Sequence, residues 1–305
     1  MTAVCCFALG AASTWANPAG AVNAFGTVID QPGNYFLTTD LDSGGAAGPA
    51  IAIVADDVHL DLQGHSITGN GDVADGDNLG IWVAGTADDP RSRVKVSNGS
   101  VSQVHYGVWL DYTTQSHVTE MTLNANRGGI GLNFSSGNHL NWNSSFGNTD
   151  GILLQQDSDK NVVSHNDCSG NGFSGIFLNA PSPTAGCDNN QIIKNVCSQN
   201  RVVGIWLNRI SSGNRIVNNT VNQNHQPTNP FFLHAGIAIG HPLIATWVAN
   251  NNIVVANTAL GNTTEDSSSW DVFDSTPCEN LWRGNVFEVD NETGAAAGPK
   301  NGCMR

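Results

Sequence analysis

A tetrapeptide of the form Gly-Ile-x-Leu returns seven times along the chain, and this recurrence limits the fold more than any other feature. It reads GIWV at Gly80, GVWL at Gly107, GIGL at Gly129, GILL at Gly151, GIFL at Gly175, GIWL at Gly204 and GIAI at Gly236, at intervals of 27, 22, 22, 24, 29 and 32 residues. A second series follows each one, as in SHVTEMTLN, NHLNWNSSF, NVVSHNDCS, NQIIKNVCS and NRIVNNTVN. Each apolar run is too short for a helix and alternates with the two-residue period of a strand. Repeats of this length, built from short strands and Asn/Gly turns, fit a coil whose turns stack as parallel strands about 4.8 Å apart. Equivalent residues then lie above one another. Asn143, Asn166, Asn195, Asn219 and Asn257 form one column and Asn126, Asn148, Asn171, Asn200 and Asn224 another. Stacked amides satisfy turn backbone that a sheet leaves unpaired, so these asparagines are read as scaffold.

Composition agrees with a coil. The 305 residues are 40% hydrophobic, enough for a core, yet only 12% charged, with 34 glycines. Asn and Gly are poor helix formers. The formal charge of −14 argues against a sequence-independent nucleic-acid binder, which needs a basic surface, and against anionic membranes. No run approaches the ~18 apolar residues of a membrane span. Residues 1–16 carry a short apolar stretch and a small-x-small site at Thr14-Trp15-Ala16, and are expected to be a secretory signal. The mature chain is expected to be secreted or periplasmic, and a monomer. Cys278 and Cys303 bracket the C-terminal segment and are expected to form a disulfide that pins the tail. Of Cys168, Cys187 and Cys197, either two pair or all remain buried thiols.

The two repeat series resemble the right-handed parallel β-helix repeat family of the pectate-lyase-like superfamily, in its secreted bacterial form. GNYFLTTDL…AIAIVADDVHLDLQGHSITGNG resembles the first coils of such proteins, and PCENLWRGNVFE…NGC their C-terminal closure. The resemblance covers roughly residues 26 to 305. It implies an all-β, single-domain right-handed solenoid, with residues 17–50 as an N-terminal cap and 51–305 as the helix and its closure. It says little about activity, because the superfamily holds lyases, hydrolases, epimerases, adhesins and metal-insertion proteins.

In Gly-Ile-x-Leu-z the Ile and Leu share the core side, so x and z face solvent. Position x carries Trp82, Trp109, Gly131, Leu153, Phe177, Trp206 and Ala238; position z carries Ala84, Asp111, Asn133, Gln155, Asn179, Asn208 and Gly240. Rings beside amides make a surface for sugar faces and hydroxyls. The expected polysaccharide-binding set is therefore Trp82, Trp109, Asn133, Gln155, Phe177, Asn179, Trp206 and Asn208. The rival reading is that the long loops APSPTAGCDNN and NHQPTNPFFLHAG fold over the rings and bury them.

Catalysis is harder to read. Asp111 is the sole carboxylate of the z lane, and Asp157 lies two residues beyond that lane. Two coils of stacking would set them near 9.6 Å apart, at the limit for inverting hydrolysis. A lyase instead needs a base, plus Arg or Ca²⁺ to neutralise a uronate carboxyl. Arg209, which follows Asn208, is the expected cation, and calcium is expected only for a lyase. His105 and Tyr106 are read as turn residues, and Asp150 as preceding its strand. The alternative function, drawn from the resemblance, is a non-catalytic surface or periplasmic scaffold or a copper-delivery protein. His117 and His139 take equivalent outward positions on adjacent coils, but Lys95 shares their column and no Met or Cys completes a soft site, so no metal ligands are assigned.

Overall fold

The computed structural model describes residues 19–182, 184–225, 233–240, 249–263, 269–275 and 279–290. The expected signal segment and both Cys278 and Cys303 lie outside the described residues, as do Phe231 and Phe232 of the second long loop. Among the described residues every strand pairing is parallel and there is no helix. Among these same residues two sheets, of ten and fourteen strands, run the length of a solenoid. The front sheet has ten strands, among them Leu79–Ala84, Tyr106–Asp111, Gly128–Asn133, Asp150–Gln155, Ser174–Asn179 and Val203–Asn208. The back sheet has fourteen, including His117–Asn124, His139–Asn141, Val162–Ser164 and Gln191–Ile193.

Stacking follows the repeat residue for residue. Ile81, Val108, Ile130, Ile152, Ile176, Ile205 and Ile237 pair in sequence. All are fully buried, and with the back-sheet Val118, Leu140, Val163, Ile192 and Ile216 they form one continuous core. Cys168, Cys187 and Cys197 join that core as free thiols, which settles the open alternative in favour of buried, unpaired cysteines. Burial in apolar surroundings pushes the Cys197 thiol well above its ordinary range, with the Cys168 contact adding to it.

The asparagine columns hold the turns. The Asn143 amide N–H donates to Asn166 Oδ1 at 2.9 Å, while Asn166 Nδ2 donates to the Leu140 carbonyl at 2.9 Å and to Asn195 Oδ1 at 3.0 Å. The pattern repeats upward through Asn195, Asn219 and Asn257, and in the second column from Asn126 to Asn224. A third column, Asn138, Asn161, Asn190, Asn214, Asn252 and Asn280, does the same work. The residue before each ladder position is bent into the left-handed region: Trp142, His165, Lys194, Asn218 and Ala256 have φ between 56° and 61°. Such a conformation costs a non-glycine residue on the order of 1–3 kcal/mol. Buried ladder bonds over-determine it, so sequence at the bend is free to vary.

Candidate functional site

The glycine of each Gly-Ile-x-Leu motif interrupts the alternation. The register pairs Tyr106 with Gly128 and Val108 with Ile130, passing over Gly107 and Gly129. A Cβ built on Gly107 would meet Leu123 Cδ2 at 2.6 Å and the Gly129 carbonyl at 2.8 Å, so this position faces a core with no room for a side chain. Glycine and the following Ile or Val thus both turn inward. The residue before the glycine consequently turns outward, opening a third lane: Leu79, Tyr106, Gly128, Asp150, Ser174 and Val203.

Tyr106 and Asp150 are therefore not turn or pre-strand residues. Each opens a front strand. Strict period-two reading hides this lane, and the repeated glycine is the signal that could have revealed it.

The expected outward aromatic lane exists, but its two halves differ. Trp206 is 4% exposed, packed with Val203, Leu233, Trp270 and Phe273, and its Nε1 donates to the Gly240 carbonyl at 2.9 Å. Here the chain itself covers the ring. Asn208 is buried beside it and donates from Nδ2 to Asn179 Oδ1 at 3.3 Å. At the other end Leu79, Tyr106 and Leu153 form a separate cluster on the outer face, with Trp82, Trp109 and Phe177 packed against it and only partly buried. The Tyr106 and Trp109 rings lie 4.5 Å apart, over Gly128 and Gly131, where added Cβ atoms would strike them at 2.1 and 2.3 Å.

Around these rings runs a groove in two connected parts. One cavity, about 370 Å³, is lined by His105, Tyr106, Trp109, Arg127, Asp150, Leu153, Gln155, Phe177 and Asn179, with Gly76 and Leu79 at its margin. The other, about 480 Å³, shares Gly76, Leu79 and Trp109 and adds Gly48, Pro49, Asp77, Trp82 and Asp111. Both volumes suit a small organic ligand or a few sugar units.

Charge is arranged unevenly within the groove. Arg127 Nη1 donates to His105 Nε2 at 3.1 Å, and His105 Nδ1 meets the Val73 carbonyl at 2.8 Å. A guanidinium can only donate, so Nε2 must accept and Nδ1 carries the proton. Burial, with Arg127 adding to it, lowers the His105 pKa and favours this neutral form. Burial also pushes Asp150 up to about 6, despite the Ser174 hydroxyl that donates to its carboxylate and the Arg127 charge. Tyr106 is pushed up to about 12 by burial. Asp111 is half-buried, its pKa raised by burial although Asn133 Nδ2 donates to its Oδ1 at 2.8 Å.

Two residues expected to act with Asp111 stand elsewhere. Asp157 is exposed in the turn beyond the strand Asp150–Gln155, where burial and the neighbouring Asp188 raise its pKa, and it is not part of the groove lining. Arg209 ties down the start of the preceding coil's long loop, donating from Nη1 to the carbonyls of Ala180 at 3.2 Å and Pro181 at 2.8 Å. Of the expected site residues the groove brings together Trp82, Trp109, Asp111, Gln155, Phe177 and Asn179, and Asn133 touches it through Asp111.

A family model described as periplasmic copper-binding protein (NosD) matches residues 58–236, more than half of the chain. The chain belongs to the NosD family. This supports a secreted or periplasmic location. No curated protein matches the chain in sequence. In three dimensions this NosD-family chain is similar to the periplasmic alginate epimerase AlgG, at 15% identity over 87% of this chain and 67% of that one, with a TM-score of 0.57. It is similar to the A-module of the Azotobacter vinelandii mannuronan C-5 epimerase AlgE6, at 13% identity over 92% and 86%, with a TM-score of 0.62. The pectate lyase Pel9A aligns at 14% identity over 80% of this chain and 63% of that one, with a TM-score of 0.50. At such identities the likeness is one of fold, a right-handed parallel β-helix.

The NosD-family chain offers few metal donors in one place. Among the described residues no group of three or more His, Cys, Asp or Glu side chains is placed to hold a metal ion. His117 and His139 stack on the back sheet with ring centroids 4.9 Å apart, as their register requires, and Lys95 pairs with His117 from the other side. Burial, His139 and Lys95 all lower the His117 pKa. Two imidazoles beside an ammonium make an incomplete set for a soft metal.

Proposed function

We propose that the front-sheet groove binds a polysaccharide containing uronate residues. The observation that carries this reading is the open half of the aromatic lane. Trp82, Trp109 and Phe177 offer ring faces to pyranose rings, Gln155 and Asn179 offer amides to hydroxyls, and the Arg127 guanidinium, beside His105, lines the same cavity as Trp109. Exposed rings next to polar groups serve a ligand that is apolar on one face and wet at its edge. In a chain of net charge −14, one arginine in the groove supplies the local positive potential an acidic sugar needs.

The same groups support processing of the bound chain by proton abstraction. Pairing with Arg127 would acidify the proton beside a uronate carboxyl. Asp150, titrating near 6, is the group able to take that proton at neutral pH, and Tyr106, protonated to about 12, is able to donate one. Elimination then breaks the bond to the 4-oxygen, which leaves with the donated proton; epimerisation returns a proton to the opposite face. Arg127 takes the charge-neutralising part for which a lyase would otherwise ask for calcium. Hydrolysis fits less well: Asp111 and Asp150 stand at opposite ends of front strands two coils apart, five residues apart in register, or roughly 16 Å along the strand at 3.3 Å per residue. Paired hydrolytic carboxyls work at about 5 to 9.5 Å.

The test is a titration of tryptophan fluorescence with acidic and neutral polysaccharides, recording reducing ends and the ultraviolet absorbance of unsaturated products. Acidic polymers should quench wild type and leave Trp109→Ala and Arg127→Gln unresponsive. Equal silence of wild type across the panel rejects the reading.

A second reading, a non-catalytic scaffold or copper-delivery protein, is favoured by the family description and by the stacked His117 and His139. Copper titration of wild type and of the His117→Ala/His139→Ala double variant would give indistinguishable curves if that reading is wrong.

A further inference from the structure

The second cavity of the groove differs from the first in charge and in what it leaves unpaired. Its lining holds two carboxylates, Asp77 and Asp111, and no cationic side chain. The nearby arginines are turned to other work. Arg91 donates to the Val54 carbonyl at 3.0 Å and to the Asp89 carbonyl at 2.9 Å, and Arg93 grips Asp57 through two bonds of 2.6 and 2.8 Å. A uronate carboxylate placed here would face Asp111 with nothing to neutralise either charge, and like charges set together in a partly dry site are strongly disfavoured.

Meanwhile two polar atoms at this end are buried without a hydrogen-bond partner: the donor Trp82 Nε1 and the acceptor Asn133 Oδ1. Asn133 spends its Nδ2 on one oxygen of Asp111, which leaves the other Asp111 oxygen able to accept. The cavity thus presents the Trp82 and Trp109 rings and an Asp111 oxygen that wants a hydroxyl or amide hydrogen, while the unpaired Trp82 Nε1 lies beneath its wall and the unpaired Asn133 Oδ1 behind Asp111. Those are the needs of an uncharged sugar, whose hydroxyls donate and whose ring, hydroxyl or acetamido oxygens accept.

Resting on the polysaccharide reading above, we propose that the Trp82–Asp111 end is a subsite for an uncharged sugar residue that excludes uronate, so that the ligand is a mixed polysaccharide with its acidic residue at Arg127. Specificity in such a groove comes from both ends. Arg127 favours the anion, and Asp111 with Asp77 rejects a second anion where a neutral residue belongs. A site built to hydrogen-bond a ligand discriminates strongly against one that leaves its buried groups unpaired.

Calorimetry with three hexasaccharides tests this: an all-uronate oligomer, an uncharged β-1,4-glucan oligomer, and a mixed oligomer of glucuronate and N-acetylglucosamine. Wild type should bind the mixed oligomer at least about tenfold more tightly than either uniform one. Asp111→Asn should tighten binding of the all-uronate oligomer about fivefold or more by relieving repulsion, while weakening the mixed one. Trp82→Phe keeps the ring but removes the donor, and should weaken the mixed and uncharged oligomers with little change for the all-uronate one. Near-ultraviolet circular dichroism confirms that each variant retains the native fold; a misfolded variant is replaced by Asp111→Ser or Trp82→Leu, which also lacks the donor, in the same comparison. The proposal is overturned if the all-uronate oligomer binds wild type as tightly as the mixed one, or if Asp111→Asn leaves its affinity within twofold. Absence of binding by all three oligomers rejects the groove reading itself, and this subsite with it.

Discussion

Replacing Asp150 by Asn should make the protein more stable at neutral pH, because the fold holds this carboxyl where its ionised form is disfavoured. Its pKa rises from 3.8 to about 6, a difference of about 2.2 units, and each unit corresponds to about 1.36 kcal/mol. The sign follows from proton binding. Between pH 4 and 6 the folded chain retains the Asp150 proton and the unfolded chain has lost it, so stability falls as pH rises through this window. Below pH 4 both states are protonated and the penalty is absent. Above pH 6 both are ionised and the full penalty applies, up to about 3 kcal/mol. Asparagine keeps an acceptor for the Ser174 hydroxyl and cannot ionise. Wild type and Asp150→Asn should therefore match near pH 4 and diverge to ~3 kcal/mol by pH 7.5, with the variant the more stable. Other carboxyls with raised pKa values, Asp111, Asp157 and Asp159, tilt both curves equally, so the difference isolates Asp150. Urea unfolding followed by far-ultraviolet circular dichroism at half-unit pH steps gives the two curves. If they run parallel from pH 4 to 7.5, the carboxyl is not held in a desolvated site, and its part in proton transfer falls with it. A group kept at such cost in stability is what a functional site looks like.

Further expectations concern the scaffold and the two halves of the aromatic lane. Asn195→Ala orphans the Asn166 N–H and the Val163 carbonyl, bonded to it at 3.0 and 2.9 Å; at about 1–3 kcal/mol for each buried unsatisfied group, it should cost roughly 2–6 kcal/mol in urea unfolding. A cost below ~0.5 kcal/mol, the usual scale of a neutral surface change, would show that the ladder contributes little. Trp206→Ala should cost about 3–5 kcal/mol, as a buried aromatic does, and leave glycan binding unchanged; Trp109→Ala should cost less and abolish binding. The reverse pattern in paired unfolding and glycan titrations would move the site to the covered half. Gly131→Ala puts a methyl 2.3 Å from the Trp109 ring. It should cost about 1–3 kcal/mol by overpacking, alter the near-ultraviolet spectrum and weaken glycan binding; an unchanged spectrum would contradict the ring's position.

The solenoid was legible because its determinants are local and repeated. Ile and Leu recur at fixed distance from Gly, and Asn recurs just after each bend, so register could be counted. The third asparagine column was equally visible in the same second series, at Asn138, Asn161, Asn190 and Asn214, each five residues before a member of the first column. Half of the candidate site was readable too: Trp82, Trp109, Phe177, Gln155 and Asn179 follow from alternation alone. His105, Arg127 and Asp150 do not. Asp150 takes the outward position that the inward turn of glycine adds and period two does not count, while His105 and Arg127 stand just before the strands Tyr106–Asp111 and Gly128–Asn133, where alternation assigns no face. Arg209 and Asp157 failed for a related reason: a residue just past a strand can follow the turn, and Arg209 found carbonyls to hold while Asp157 went to solvent.

Periodicity in one dimension was enough to specify a parallel coil, its buried face and its outward aromatic residues, since each of these depends on which neighbours share a strand and which face that strand buries. Whether an outward ring meets solvent or the chain itself depends on residues distant in sequence. Trp206 is closed over by Leu233, Trp270 and Phe273, while Trp109 is left at the edge of a cavity with Arg127 and Asp150. Only the packed molecule could decide that, because cover and proximity between coils are properties of three-dimensional neighbours, and a repeating sequence treats every coil alike.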